Sequence, residues 1–164
     1  MAYALQELLR IRVMREDRAS AELSAARQEV VRAKQQLAER QDELRKYQET
    51  KEERRDRIFA AVVGHAVTRE DIDRALEGVA RIDKEGELKA DNVNLAAAKV
   101  QEKEKLSEKA KVVFVTASKE RMKISEHKAM WLAEEAKEQE HRQETELEDF
   151  TGKKNVENFE DDGS

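Results

Sequence analysis

Three histidines, His65, His127 and His141, are the residues best suited by type to hold a metal ion or move a proton near neutral pH. Their spacing works against both. His127 and His141 lie fourteen residues apart, about 21 Å along one helix, too far to share an ion. His65 stands alone in VVGHAVTRED. Each histidine therefore reads as a solvent-exposed polar residue. Carboxylates are abundant, and pairs such as Glu134–Glu135 and Asp161–Asp162 follow from that abundance. Acid–base work needs an enclosed site that shifts a carboxylate's pKa, and nothing nearby in the sequence builds one. The five glycines are scattered, so no phosphate-cradling loop is present, and there is no Cys to serve as nucleophile, metal ligand or disulfide partner. The residues point away from an enzyme: no catalytic, metal-binding or cofactor-binding position is expected.

The elements that must position these residues explain the absence. Charged residues form 42% of the chain, aromatics 4%, and Pro is missing, while Ala, Glu, Lys, Leu, Arg and Gln dominate. Such a chain can cover a narrow apolar seam but not a broad core, the mark of long helices and coiled coils. Disorder is the competing reading of this composition, and the apolar spacing decides against it. Leu23, Val30, Leu37, Leu44 and Ile58 recur at seven-residue spacing, with Lys51 filling the gap. Ala26, Ala33, Tyr47 and Ala61 follow the companion position, interrupted by Arg40 and Arg54. A strict seven-residue repeat keeps one stripe against a partner helix. The seam cations are expected to snorkel to solvent or to pair across the seam. Upstream, Leu5, Leu8, Leu9, Ile11, Val13 and Met14 are too dense for one seam and predict a second, wider apolar face.

The first pattern stops at Gly64, which can take the left-handed conformation that ends helices. Thr68 followed by Asp71 is a helix-start signature. So few residues between them force the next helix to fold back antiparallel. The expected fold is therefore all-α: a long antiparallel two-helix coiled-coil hairpin over residues 1–150. Its first helix spans about 3–62, its turn 63–68 and its second helix about 69–149. The second stripe runs through Ile72, Ala75, Val79, Ile82, Val93, Ala96, Val100, Ala110, Phe114, Ala117, Ile124 and Trp131. Within it, KEGELKADNVNL at 84–95 gathers Gly86, Asp91, Asn92 and Asn94, and an irregularity is expected there. Folding back near residue 66 sets residue 3 opposite residue 129. Trp131, the only Trp, then falls beside Tyr3, Leu5 and Leu8, where it can seal the hairpin's open end and also anchor a partner. Residues 151–164 read as a disordered acidic tail.

Charge narrows the partners. Residues 1–60 hold 14 Lys or Arg against 12 Asp or Glu, whereas residues 132–164 hold 4 against 12. No concentrated basic face serves nucleic acid, and a basic protein surface is the natural partner of the acidic end. No run approaches the roughly 18 apolar residues of a membrane span, and the N-terminus lacks the form of a signal peptide. A cytosolic chain without direct membrane insertion is the expectation. Monomer is the simplest state, because an antiparallel hairpin satisfies its own seam.

YALQELLRIRVMREDRA near the N-terminus, a Pro-free and Cys-free heptad hairpin, and a late HKAMWLAEEAKEQE together resemble the YscO/FliJ family, and the Trp followed by acidic residues resembles its YscO branch. The matching positions are Leu5, Leu8, Leu9, Ile11, Arg15, Glu16, Asp17 and Ala19, then Lys128, Trp131, Glu135 and Glu140. The resemblance implies a cytoplasmic, non-enzymatic stalk of a type III secretion apparatus, peripheral to the inner membrane. It implies that the open end meets a hexameric export ATPase through Leu5, Leu8, Leu9, Ile11, Met14, Trp131 and Glu135. It implies that the tip meets the cytoplasmic ring of the export gate through Phe59, Val62, Val63, His65, Val67 and Arg69. Export chaperones or a needle-length regulator are further partners the family implies. The alternative is a generic cytosolic coiled-coil scaffold or a chaperone-like hairpin. A prefoldin arm would need flanking alternating strands, and none is patterned here.

Overall fold

The computed structural model describes residues 2–160. Helix α1 spans Gln6–Ala60 and helix α2 spans Arg69–Glu160, and they pair antiparallel as a helical hairpin. The single hairpin domain expected over 1–150 resolves by its contacts into two compact units. One gathers residues 1–18 with 114–164; the other is Ala19–Val113. Helix α2 also outruns its expected end. Residues 151–160 continue it as helix where the sequence suggested a disordered tail, and residues 161–164 lie outside the described residues. The run has no Pro to stop a helix already under way, and its Lys and Glu favour helix, although Gly152, Asn155 and Asn158 are poor helix formers.

The unit 19–113 contains the turn. Val62 and Val63 both donate their backbone N–H to the Phe59 carbonyl, at 3.0 and 2.8 Å, tightening the last turn of α1. Gly64 follows with φ of 80°, the conformation that reverses a chain after a helix. Helix α2 then opens on a reciprocal cap. The Asp71 carboxylate accepts from the Thr68 N–H at 2.9 Å and from its hydroxyl at 2.8 Å. The Asp71 N–H donates back to Thr68 Oγ1 at 3.3 Å.

These donors, the backbone N–H of Thr68 foremost, hold the Asp71 carboxyl below its usual range. A lowered folded-state pKa means the cap's contribution is full above the ordinary carboxylate value. It is lost as the pH falls through the lowered one. Thr68→Ala is expected to cost about 1 kcal/mol. The loss should appear as faster amide exchange in residues 69–75 and should shrink when both proteins are compared in strong acid.

The seam of this unit is thin. Ala19, Leu23, Ala33, Tyr47, Ile82 and Val100 are its buried residues. Tyr47 is the largest of them, and its hydroxyl donates to the Ile82 carbonyl. A Cβ added to Gly86 would stand 3.0 Å from Tyr47 Cε1, so the missing side chain is the hole that receives the tyrosine ring. This accounts for the difference at 84–95. Helix α2 passes through that stretch unbroken, and Gly86 serves close packing rather than a break. The seam cations mostly pair across it: Lys51 meets Asp83 at 3.1 Å and Arg54 meets Glu85 at 3.2 Å. Arg54 and Lys89 also lie over the Tyr47 ring, at 5.6 and 5.8 Å from its centroid. Arg40 instead pairs with Glu43 on its own helix. Ile72, assigned by spacing to the seam, is exposed.

Candidate functional site

The unit 1–18 with 114–164 carries the residues expected at the open end. Tyr3 is buried there, with its ring 5.4 Å from that of Trp131 and 5.8 Å from that of His127. Its hydroxyl lies 2.7 Å from His127 Nδ1. Trp131 therefore closes over Tyr3 as the fold-back register predicts. His127 departs from the plain surface residue expected of it: though exposed, it is the hydrogen-bonding partner of a buried phenol. Gln6 Oε1 accepts from Lys128 Nζ at 2.7 Å beside this cluster.

Next along the pair, the seam turns ionic. Arg12 bonds Glu120, and Glu16 accepts from the Arg121 Nε–H. The side chains of Glu16 and Arg12 are only 20% and 25% exposed, which makes these pairs more than surface decoration. Arg12 Nε is buried and unbonded, so part of the guanidinium's desolvation is uncompensated. The sequence held a signal for this. Carried upstream from Leu23 and Ala26, the seven-residue repeat lands on Glu16, Ala19 and Arg12. Glu16→Ala is expected to destabilise this unit by about 1–2 kcal/mol, between the values for exposed and buried pairs. Glu16→Gln should cost less, since it can still accept from Arg121. Urea unfolding followed by helicity separates the two variants.

With Arg12 and Glu16 in the seam, the apolar residues around them must point elsewhere. Leu8 and Leu9 are half-buried, Leu5 lies at the margin of exposure, and Ile11 and Met14 face solvent, Met14 at 61%. Trp131 and Glu135 are half-buried. Of the dense N-terminal apolar residues Leu5, Ile11, Val13 and Met14 are exposed, Ile11 and Met14 the most.

The tip residues sit in the other unit. Val62 and Val67 are half-buried, His65 and Arg69 are exposed, and Phe59 and Val63 present apolar surface, Val63 at 71%. Ile72 and Leu76 are exposed as well, on the first turns of α2. For Ile72 the spacing gave no warning, because a seam position this close to the turn lies past the end of α1, which stops at Ala60.

Among the described residues no polar or charged residue is buried and no cluster of His, Cys, Asp or Glu could hold a metal ion. No helix among them is long and apolar enough to cross a membrane. What the arrangement offers is surface: exposed apolar side chains in each of the two units.

Fold and surface together define a two-helix coiled-coil hairpin. A family model described as type III secretion protein YscO matches residues 5–153. The chain belongs to the YscO family of type III secretion proteins. It is also similar to a solved structure, that of the YscO homologue CT670 from Chlamydia trachomatis. The two share 25% identity and a TM-score of 0.70, over 93% of each chain. A search of curated proteins finds no match.

Proposed function

We propose that this chain is a cytoplasmic, non-enzymatic stalk that links the hexameric export ATPase of a type III secretion apparatus to the ring of its export gate. The observation that carries the reading is the display of apolar side chains where the hairpin's own seam does not use them. Ile11 and Met14 stand out on the first turns of α1, and Phe59 and Val63 stand out at the turn. Membership of the YscO family supplies the apparatus. In this reading the unit with Trp131 and Glu135 meets the ATPase, and the turn meets the gate ring. Export chaperones or a needle-length regulator would compete for the same exposed surfaces. A monomer suffices, since each helix already has a partner.

The test is the turnover and oligomer size of the cognate export ATPase with and without this protein. Ile11→Ser with Met14→Ser alters side chains that are already exposed, so helicity should be unchanged. These changes are expected to weaken stimulation by about tenfold or more in effective concentration, as loss of central apolar anchors does. Phe59→Ser with Val63→Ser should leave the ATPase effect intact and abolish capture of the gate ring. A helical protein that alters neither turnover nor assembly would put the generic scaffold ahead.

A further inference from the structure

Beyond Trp131, α2 continues through a stretch that the hairpin does not cover. Of residues 132–152 all are exposed except Glu135, which is half-buried. Hydrogen bonds within it are local, such as Arg142 to Glu138 at 3.3 Å and the Thr145 hydroxyl to the His141 carbonyl at 2.9 Å. This stretch nevertheless has an organised face. Leu132, Ala136, Gln139, Gln143, Leu147 and Phe150 step by four, three, four, four and three. That rhythm averages ~3.6 residues, the period of a straight helix, and places all six within about 80° of one another. Leu147 is 65% exposed and Phe150 is 61% exposed, and with Gln143 and Glu146 they line a shallow groove. The stripe is distinct from the seam, which leaves the hairpin at Trp131 and Glu135.

Charge selects the occupant. The charged residues that border the stripe on the wheel are Glu135, Glu140 and Glu146, while Lys137 and Arg142 lie away from it. Residues 132–150 hold eight Asp or Glu against two Lys or Arg. A second copy of this chain would set like charges against like. An anionic membrane surface would be repelled. A helix with an apolar stripe bordered by Lys or Arg would bury Leu132, Leu147 and Phe150 and set its cations against Glu140 and Glu146. We infer that residues 132–152 form a docking face for a basic amphipathic helix of a partner protein. This goes beyond the stalk reading, with which it shares only Glu135, and its test contains no ATPase.

The probe is a labelled synthetic helical peptide with a leucine stripe bordered by Lys, titrated against the full-length protein by fluorescence anisotropy. Two control peptides replace the stripe leucines by Gln, or the border Lys by Glu. The wild-type chain is expected to bind the first peptide only, and less tightly as salt is raised. Leu147→Gln should weaken binding about tenfold with helicity unchanged. Glu140→Lys with Glu146→Lys should transfer binding to the Glu-bordered peptide. Equal binding of both borders, no binding at all, or indifference to Leu147→Gln would overturn the assignment. So would sedimentation showing a dimer that Leu147→Gln dissolves, which would give the face to a second copy.

Discussion

Tyr47→Ala is expected to destabilise the unit 19–113 by about 3–5 kcal/mol, the range for deleting a buried aromatic ring. Few residues of that seam are buried, and besides Tyr47 they are two alanines and the aliphatics Leu23, Ile82 and Val100, so the loss has little to fall back on. Tyr47→Phe keeps the ring and its cations but gives up the bond to the Ile82 carbonyl, at about 1 kcal/mol. The partner position supplies a sharper check. Gly86→Ala should gain about 1 kcal/mol of helix propensity only where Tyr47 is absent. With Tyr47 present, the new Cβ stands 3.0 Å from its ring and the gain is offset. Urea unfolding of the four proteins in this cycle should give clearly non-additive energies. Additive ones would mean that Gly86 is not the slot for Tyr47.

That pair also shows what the sequence did and did not disclose. The hairpin was legible because Gly64, Thr68 and Asp71 state the turn in local chemistry, and because the repeat from Leu23 to Ala61 can only be buried against a second helix. Gly86 was misleading. Propensity marks it as a weak helix former, while its use depends on a tyrosine 39 positions earlier in the chain, which only the register reveals. Extension of α2 past Phe150 was not legible because Gly152 and the polar run after it suggest an end, while no Pro enforces one. The interaction surfaces were legible by residue type but not by direction. Leu8, Leu9, Ile11 and Met14 look alike in sequence. They separate only once Arg12 and Glu16 are seen to occupy the seam and turn Ile11 and Met14 outward.

Trp131→Ala carries the second large effect. Trp131 is half-buried, so its loss should cost about 2 kcal/mol, below the range for a core aromatic. The ring it leaves behind matters as much. Tyr3 is buried beneath the indole and bonded to His127, and it precedes α1, to whose first residue it is tied through its carbonyl, which accepts from the Gln6 N–H at 3.1 Å. Without Trp131 the segment before Gln6 is expected to loosen, with amide exchange rising in residues 3–9 and 124–131 and unchanged in 19–113. Tyr3→Ala should loosen the same amides from the other side. In that variant the emission of Trp131, the only Trp in the chain, should shift to the red as the indole gains water. The double variant should cost little more than either single one, because each ring is the other's cover. If the two losses simply add, Trp131 and Tyr3 are independent surface residues, and the closed end that presents Ile11 and Met14 would have to be held by the ion pairs at Arg12 and Glu16 alone.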